Sequence, residues 1–398
     1  KLEMSFAKRI NALQPSATMA VIEAAARLRE QGIDVISFGA GEPDFDTPDH
    51  VIAAANKALA DGHTRYTAGS GTTSLKQAVV NKLKKDNGLD YEANQIVISN
   101  GGKHSLFNIM MTLFEEGDEV ILLTPYWVTY PEVVKLSGAD PVYVETREED
   151  GFQVNSEQLL QGVTRKTKGI IVNTPSNPSG AVLNRESLQA IVDVAISNDL
   201  WLISDECYEA LVYDGEHISL AGFDGAYEKT ITVQTMSKAF AMTGWRMGYS
   251  ASSKELATAM GKFQGQATGC PNSIAQFASE TALTVPPVFL DDWRAQFLGR
   301  RNYMVKALNE MTGITCLMPE GAFYAFPKVS SLFGKKAGDV EIKNDMDLTK
   351  YLLDEAHITV VPGSAFGASE HIRLSYATSL DAIKTGLGRF ADAVAKLN

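Results

Sequence analysis

Cysteine is scarce in this chain, with three residues in 398. Cys207, Cys270 and Cys316 have neither the close spacing of a redox pair nor enough partners for a disulfide framework. Long apolar runs are missing as well, because we find no stretch of about 18 apolar residues and no signal peptide. From these absences we expect a cytoplasmic protein without membrane spans.

Positive charge is also in short supply, since 36 Lys and Arg stand against 48 Asp and Glu, a net charge of −12. Such a balance repels phosphate backbones and anionic lipids, so we expect neither nucleic acid nor a membrane as a partner. The six histidines are scattered singly, without the spacing of a zinc site. We therefore expect no bound metal.

Strand-like and helix-like patterns alternate between about residue 96 and residue 252. Short apolar runs typical of buried strands are separated by stretches with helical spacing, such as "LNRESLQAIVDVAISND". The apolar runs are "QIVISN", "EVILLTP", "PVYVE", "KGIIVNTP", "WLISDE" and "TITVQTMS". This order predicts an α/β fold with a large, mostly parallel sheet sandwiched by helices.

The two ends of the chain differ from this central pattern. From about residue 290, helices alternate with isolated strands such as "GAFYAFPKV" and "HIRLSYA". A chain of 398 residues is long enough for two domains. We predict a large α/β domain over residues 48–290 and a smaller α+β domain built from residues 1–47 and 291–398.

Polar clusters follow three of the predicted strands, namely "NTPSNPSG", "SDECYE" and "TMSK". In a largely parallel sheet, ligands bind outside the carboxyl ends of the strands. The coincidence of three unusual clusters at such ends predicts a ligand site there.

These clusters, together with the segments "SNGGKHS" and "GWRMGY", contain the groups that a phosphate-bearing aldehyde cofactor requires. Lys238 offers an amine, whose pKa would be lowered by burial or by nearby positive charge. Asp205 would be a costly lone carboxylate unless it faced a cation such as a protonated pyridine. Donors to a ring oxygen and ligands of the phosphate are available as Asn177, Tyr208, Ser237, Arg246, Gly101 and Gly102. Each residue alone is more often structural or solvated, and only their joint occurrence favours a cofactor site.

Nine short motifs, spread from about Gln14 to the C-terminus, carry a family resemblance. They are "PSATMAV", "GAGEPDFDTP", "RYTAGSG", "SNGGKHSLFN", "PYWVTYPE", "NTPSNPSG", "SDECYE", "SKAFAMTGWRMGY" and "HIRLSYATS". In this order they resemble the class I, fold-type I pyridoxal-phosphate aminotransferases, and most of all the bacterial branch of aspartate aminotransferases. The resemblance implies pyridoxal 5'-phosphate as the cofactor.

The same resemblance assigns roles to individual residues. Lys238 matches the lysine that binds the cofactor aldehyde and moves the proton at the substrate Cα. Asp205 matches the partner of the ring nitrogen, and Tyr208 matches a donor to the ring oxygen. Further cofactor contacts are implied for Gly101, Gly102, Trp127, Asn177, Thr235, Ser237 and Arg246.

Substrate contacts are implied as well. Arg373 matches the arginine that binds the α-carboxylate, a task suited to its planar two-donor fork. The same pocket would include Gly41, Trp127 and Asn177. The bacterial branch holds a distal carboxylate with a lysine and two hydroxyls, which Lys103, Ser16 and Thr18 match. We therefore expect L-aspartate and 2-oxoglutarate as substrates, giving oxaloacetate and L-glutamate. The alternative for Lys103 is a solvated or phosphate-side lysine.

Tyr66 matches a tyrosine that reaches the phosphate of the neighbouring chain's cofactor, which implies a homodimer with shared active sites. The alternatives to aspartate are aromatic, alanine-type or prephenate substrates. Gln14 stands where prephenate-using members often carry lysine, which disfavours the last of these. A β-lyase on the same scaffold is less favoured, and the ligand-sensing domain of a regulator would need an appended DNA-binding domain.

Overall fold

A seven-stranded sheet forms the centre of the fold in this computed structural model, which describes residues 6–398. The first five residues of the predicted 1–47 segment lie outside the described range. The strands are β1 Ile36–Ser37, β2 Ile96–Ser99, β3 Glu119–Thr124, β4 Asp140–Glu145, β5 Thr167–Asn173, β6 Trp201–Asp205, β7 Thr230–Thr235, β8 Gly248–Ala251, β9 Tyr324–Ala325, β10 Lys336–Ala337, β11 Val340–Glu341, β12 Ile358–Thr359, β13 Val361–Pro362 and β14 Ile372–Ser375. The α-helices are α1 Lys8–Asn11, α2 Ala17–Glu30, α3 Asp49–Ala60, α4 Thr73–Asn87, α5 Gly102–Leu113, α6 Thr129–Ser137, α7 Ser156–Gly162, α8 Arg185–Ser197, α9 Met236–Ala239, α10 Lys254–Ala267, α11 Ser273–Thr284, α12 Phe289–Asn309, α13 Asp345–Ala356 and α14 Leu380–Ala395.

The central sheet has the strand order β2-β8-β7-β6-β5-β3-β4. From β7 to β4 all neighbouring strands run parallel. The six apolar runs of the sequence form β2 to β7. The predicted α/β fold with a mostly parallel sheet is therefore confirmed.

Strand β8 departs from the parallel pattern, because it runs antiparallel to both β2 and β7. The connection from β7 contains the four-residue helix α9 rather than a long crossover helix. A short link suits antiparallel neighbours, whereas parallel neighbours need a crossover. The sequence of β8, "GYSA", also lacks the apolar run that makes the other strands recognisable.

Helix α8 illustrates why the segments between the strands are helical. The side chain of Asn184 caps its start by accepting a hydrogen bond from the Ser187 amide at 2.8 Å. Apolar residues then recur at helical spacing and pack in the core beneath the sheet. This buried face contains Leu188, Ile191, Val192 and Ala195.

Within residues 6–398, every helix is too short or too polar to cross a membrane.

The two ends of the chain share a second hydrophobic core. Strand β1 pairs in parallel with β12, so that Ile36 lies beside Ile358. Phe38 packs in one cluster with Phe297 and Phe390. A three-stranded antiparallel sheet of order β13-β14-β9 lies in the same part of the molecule. The domain limits at residues 48 and 290 stay a prediction, and residue 290 falls within the first turn of α12.

Candidate active site

The carboxyl ends of β5, β6 and β7 lie side by side. Asn173, the last residue of β5, is paired with Asp205 at the end of β6, and Asp205 is paired with Val233 of β7. The polar segments that follow these strands therefore meet at one edge of the sheet, where ligands of such folds bind. A cavity of about 520 Å³ lies at this edge.

Most of the predicted site residues line this cavity. They are Ser16, Thr18, Gly41, Gly102, Lys103, Trp127, Asn177, Asp205, Tyr208, Thr235, Ser237, Lys238, Arg246 and Arg373. Gly101 lies against the Arg246 guanidinium, which a Cβ at position 101 would overlap. Tyr66 does not join them, because its side chain is 96% exposed.

Lys238 lies on helix α9 with its amine in the cavity. The amine donates a hydrogen bond to the Gly41 carbonyl, and Nζ lies 5.6 Å from the centre of the Tyr208 ring. Burial lowers the pKa of Lys238, since an ammonium ion loses its hydration there. The neutral amine, which is the nucleophilic and basic form, is therefore more accessible than in a solvated lysine.

Asp205 is a buried carboxyl group whose hydrogen-bond donors are neutral. The Tyr130 hydroxyl donates to Oδ2 at 2.7 Å, and the Cys207 amide donates to Oδ1 at 3.2 Å. Burial raises the pKa of Asp205, and the hydrogen bonds from Tyr130 and Cys207 offset part of that rise. A cation placed beside this carboxylate would be attracted strongly, because the site has little water to screen the charge.

Arg373 is a buried guanidinium, 1% exposed, whose hydrogen-bond acceptors are neutral. Nη1 donates to the Asn177 side-chain oxygen at 2.8 Å, and Nη2 donates to the Gly39 carbonyl at 3.0 Å. Nε has no hydrogen-bond partner among the described residues. Burial lowers the pKa of Arg373. Such an arginine is suited to bind an anion, and a carboxylate matches its planar fork.

The start of helix α5 and residues around Arg246 form a possible phosphate cradle. Gly101 has φ +86°, and a Cβ there would overlap the guanidinium of Arg246, so the backbone and this side chain approach closely. The first N–H groups of a helix lack intrahelical partners and favour anions. The Thr235 and Ser237 hydroxyl oxygens lie 2.9 Å apart on the same cavity wall.

Lys103 and the start of helix α2 provide a further polar region of the cavity. The Lys103 amine lies 5.1 Å from the centre of the Trp127 ring. Burial, together with the positive charge of Arg246, lowers the pKa of Lys103. The Ser16 hydroxyl caps α2 by accepting from the Met19 amide at 3.4 Å. This region could hold a second carboxylate.

Comparison with known families decides the class of this protein. The family model described as aminotransferase class I and II matches residues 33–390. This chain belongs to that family. The aminotransferase family implies pyridoxal phosphate as the cofactor, in keeping with the amine, buried carboxylate and phosphate cradle described above.

Individual aminotransferases resemble the chain over nearly its full length. The aspartate aminotransferase of Bacillus subtilis is 42% identical over 395 residues, which cover 99% of this chain and 100% of that one. The aspartate/prephenate aminotransferase of Cereibacter sphaeroides is 44% identical over 381 residues, 95% of each chain. The structure of the Thermus thermophilus aspartate aminotransferase with maleate superposes with a TM-score of 0.93 at 41% identity, covering 98% of this chain and 100% of that one.

Several residues of the aminotransferase cavity were not predicted from the sequence, among them Met19, Ile22, Tyr130 and Tyr324. Tyr130 could have been identified, because it follows Trp127 by three residues at the start of α6, and that spacing places two side chains on one side. Tyr324 could not, because it reaches the cavity through the pairing of β9 with β14, which no local pattern reveals.

Proposed function

We propose that this aminotransferase moves the amino group of L-aspartate to 2-oxoglutarate, with pyridoxal 5'-phosphate as cofactor, in a homodimer with shared sites. The observation that carries the proposal is the cavity in which a partly buried amine, a buried carboxyl group and a buried guanidinium lie together without pairing with one another. Each of the three suits a different part of the cofactor–substrate pair.

The residues present fit the cofactor. Gly101 and the Arg246 guanidinium approach closely enough that a Cβ at position 101 would displace the guanidinium, and together they offer N–H groups and a cation to a phosphate. Asp205, buried with neutral donors, would hold a proton at the ring nitrogen. When bound, pyridoxal phosphate supplies an aldehyde for the amino group and a ring that accepts negative charge from Cα. Asn177 and Tyr208 would donate to the ring oxygen.

Lys238 would hold the cofactor and then act as base and acid at the substrate Cα. Its lowered pKa favours the neutral form that can remove this proton. The Gly41 carbonyl, which accepts a hydrogen bond from the amine, would help to orient it. Catalysis thus rests on one amine that binds, removes a proton and returns it.

Arg373 would bind the α-carboxylate of the amino acid. Asn177 and Gly39 each accept one hydrogen from its two terminal nitrogens, so that the second hydrogen of each terminal nitrogen and the Nε hydrogen remain for the ligand. Because the guanidinium is already held, little conformational entropy would be lost when a carboxylate binds. Gly41 and Trp127 would form the walls beside it.

Aspartate is favoured over other amino acids because Lys103, Ser16 and Thr18 line the same cavity as Arg373. A second carboxylate needs a cation and hydroxyl donors, and these residues supply them. The relatives named as aspartate aminotransferases support the same choice. Because some relatives are named aspartate/prephenate aminotransferases, prephenate stays the alternative acceptor of the amino group.

A homodimer is favoured by the exposure of Tyr66, which is 96% in the single chain. A large aromatic side chain in a motif of the family has no contact here that would explain it. Ile52 and Leu59, on the outer face of α3, are also exposed apolar residues. We propose that this surface meets the partner subunit and that Tyr66 contacts the phosphate bound there.

The test is the visible absorption spectrum of the protein loaded with pyridoxal phosphate, recorded before and after L-aspartate is added without any 2-oxo acid. We expect the visible band to disappear and one oxaloacetate to be released per site. A band that ignores aspartate but responds to alanine or phenylalanine would overturn the substrate. When a cysteine S-conjugate is added instead, release of a thiol, pyruvate and ammonia with the band retained would indicate a lyase. The absence of any band would overturn the cofactor.

Lys103→Met separates the two readings of Lys103. If this lysine holds the distal carboxylate, the aspartate concentration that gives half-saturation should rise by about tenfold or more. The reason is that the free energy of one hydrogen bond between charged groups corresponds to about that factor in affinity. The response to alanine should stay unchanged. If it instead binds the phosphate, the dissociation constant of the cofactor should rise and both amino acids should be affected equally.

A further inference from the structure

Tyr324 occupies a place between two parts of the site. It is fully buried, and it lies on β9, where it is paired with Ser375 of β14. The centre of its ring is 4.4 Å from the guanidinium carbon of Arg373. Its hydroxyl oxygen is 2.7 Å from the hydroxyl oxygen of Tyr208. One side chain therefore contacts both the group suited to the substrate carboxylate and the group suited to the cofactor ring oxygen.

The direction of the hydrogen bond between the two tyrosines follows from counting protons. Each phenol has one hydrogen to donate and can also accept. Burial raises the pKa of Tyr324 to about 12 and raises that of Tyr208 well above its usual range, so both are protonated at neutral pH. If Tyr208 donates its single hydrogen to the cofactor oxygen, the hydrogen between the tyrosines must come from Tyr324.

The surroundings of Tyr208 make this hydrogen bond important. Its ring packs edge-on against Phe323, at 5.5 Å between ring centres, and its side chain is 2% exposed. Removing the Tyr324 hydroxyl would leave the Tyr208 oxygen without this donor in a place that water reaches poorly. A phenol that accepts one hydrogen bond also donates more strongly to its next partner.

Arg373 depends on Tyr324 in a different way. Its guanidinium lies between the faces of Tyr324 and Phe366, at 4.4 Å and 5.0 Å from their centres. Aromatic faces attract a cation and keep the plane of the guanidinium fixed. The ring of Tyr324, not its hydroxyl, performs this task.

We propose that Tyr324 is a positioning residue with two separable roles: its hydroxyl donates to Tyr208 and strengthens the hydrogen bond to the cofactor oxygen, and its ring orients Arg373. This inference rests on the proposed function, because it requires the cofactor to bind beside Tyr208. Tyr324 itself contacts neither the Cα proton nor the amine of Lys238 in this scheme. Its effect is transmitted through Tyr208 and Arg373.

Two variants separate the roles. Tyr324→Phe keeps the ring and removes the hydroxyl, whereas Tyr324→Leu removes both. The readouts are the pH midpoint of the visible absorption change of the bound cofactor and the dissociation constant of succinate, a dicarboxylate that cannot react. A weaker donor at Tyr208 stabilises negative charge on the ring oxygen less, so the deprotonated form is disfavoured and the midpoint should rise.

We expect Tyr324→Phe to raise this midpoint by about 0.3 to 1 pH unit, the shift that one neutral hydrogen bond can cause. Its dissociation constant for succinate should stay within about threefold of the wild type. Tyr324→Leu should raise both the midpoint and, by about tenfold or more, the dissociation constant. In a Tyr208→Phe background, adding Tyr324→Phe should shift the midpoint little, because the hydroxyl through which Tyr324 acts is gone.

Tyr351→Phe is the matched control. Tyr351 is a buried tyrosine of α13 whose hydroxyl donates to the Ala393 carbonyl at 2.8 Å, within the C-terminal core. It should leave the midpoint and succinate binding unchanged. If Tyr324→Phe behaves like Tyr351→Phe while the wild type binds the cofactor, the inference is wrong and the proposed function stands. If the wild-type protein shows no cofactor band, it is the proposed function that fails.

Discussion

Asp205 and Glu206 are neighbours in the chain and both carboxyl groups are buried, but their surroundings shift their pKa values in opposite directions. Burial raises the pKa of Asp205, and its hydrogen-bond donors are neutral. Burial would also raise the pKa of Glu206, but the charge and hydrogen bond of His217, together with the hydrogen bonds from Ser219 and Ser204, lower it overall. Among residues 6–398, Asp205 forms no ion pair and feels only the more distant charge of Lys238, whereas Glu206 pairs with His217.

The same contrast extends to the groups around them. Glu206, Glu209, His217 and Lys82 form what we call the closed cluster, in which Lys82 pairs with Glu209 and His217 lies 2.9 Å from Glu206. Asp205, Lys238 and Arg373 form the open cluster, whose cations donate to carbonyl and amide oxygens.

The closed cluster also contains side chains of the kind that bind metals, but these side chains have partners within the protein. The ligand atoms of Glu206, Glu209 and His217 lie within 4.8 Å of one another, a spacing that a metal could use. Lys82, however, already neutralises Glu209. Removing one member of a buried charge pair is costly because the other charge is left without a partner, whereas a charge that is unpaired within the protein is available to a ligand.

The largest expected effect comes from removing the amine of the open cluster. Lys238→Ala should lower kcat by at least about 10³-fold, because positioned acid–base groups contribute about that much. The thermal unfolding midpoint of the cofactor-free protein should not fall, because burial disfavours the ammonium. Steady-state kinetics and thermal unfolding measure the two quantities. Near-native turnover would contradict the role of Lys238.

Arg373→Met should reduce kcat/KM for aspartate by about 30-fold or more, the usual effect of removing one member of a buried charge pair formed with a ligand. The unfolding midpoint of the cofactor-free protein should change little, since the lost guanidinium has neutral acceptors.

Arg301→Met is the matched change outside the open cluster. Arg301 is also buried, but it pairs with Asp214. This variant should lower the unfolding midpoint more than Arg373→Met and affect kcat/KM less. If Arg373→Met instead lowered the unfolding midpoint more than Arg301→Met and affected kcat/KM less, the distinction between balanced and unbalanced cations would be wrong.

Glu206→Gln tests the closed cluster. The amide has the same shape but leaves His217 without its carboxylate partner, and breaking a buried charge pair in this way costs about 3 kcal/mol of stability. We expect a clear fall in the unfolding midpoint, with kcat per folded molecule within about threefold of the wild type.

Asp205→Asn, one residue away, is the matched comparison, and it should lower activity rather than stability. It removes a carboxylate that burial already disfavours, so the fold should be unaffected while kcat falls by about 10²-fold or more. Equal loss of stability in the two variants would show that the clusters do not differ.

The sequence predicts the open cluster better than the closed one. Asp205 and Lys238 follow strand-like runs, so the rule that ligands bind at the carboxyl ends of parallel strands is enough to bring them together. Arg373 came from the family resemblance, since nothing in "HIRLSYA" indicates that its Nε lacks a partner. Lys82 and Glu209 are 127 residues apart, and only the folded chain reveals that they meet. Tyr324 was missed for the same reason. Strand β8 was missed for a different one, because its few residues carry no apolar run.

The smallest expected effect is the pH dependence of the closed cluster. Burial alone would lower the pKa of His217, but the Glu206 carboxylate, with a smaller contribution from Glu209 and an opposing one from Lys82, raises it above the ordinary 6.5. A raised pKa in the folded state means that protonated His217 stabilises the fold below pH 6.5, and that this contribution is lost as the pH rises through the folded-state pKa. Glu206, whose pKa is lowered from 4.5, contributes above that pH and loses its contribution in acid.

His217→Asn should therefore lower the unfolding midpoint most below pH 6.5, and the difference from the wild type should shrink as the pH rises through the folded-state pKa. Each unit of pKa shift corresponds to about 1.4 kcal/mol, so the pH-dependent part of the difference measures the size of the shift. His357→Asn, at an exposed histidine that follows α13, is the matched control for replacing histidine with asparagine. A difference for His217→Asn that does not vary with pH would mean that Glu206 is held by Ser204 and Ser219 alone, and that the closed cluster carries an unbalanced charge after all.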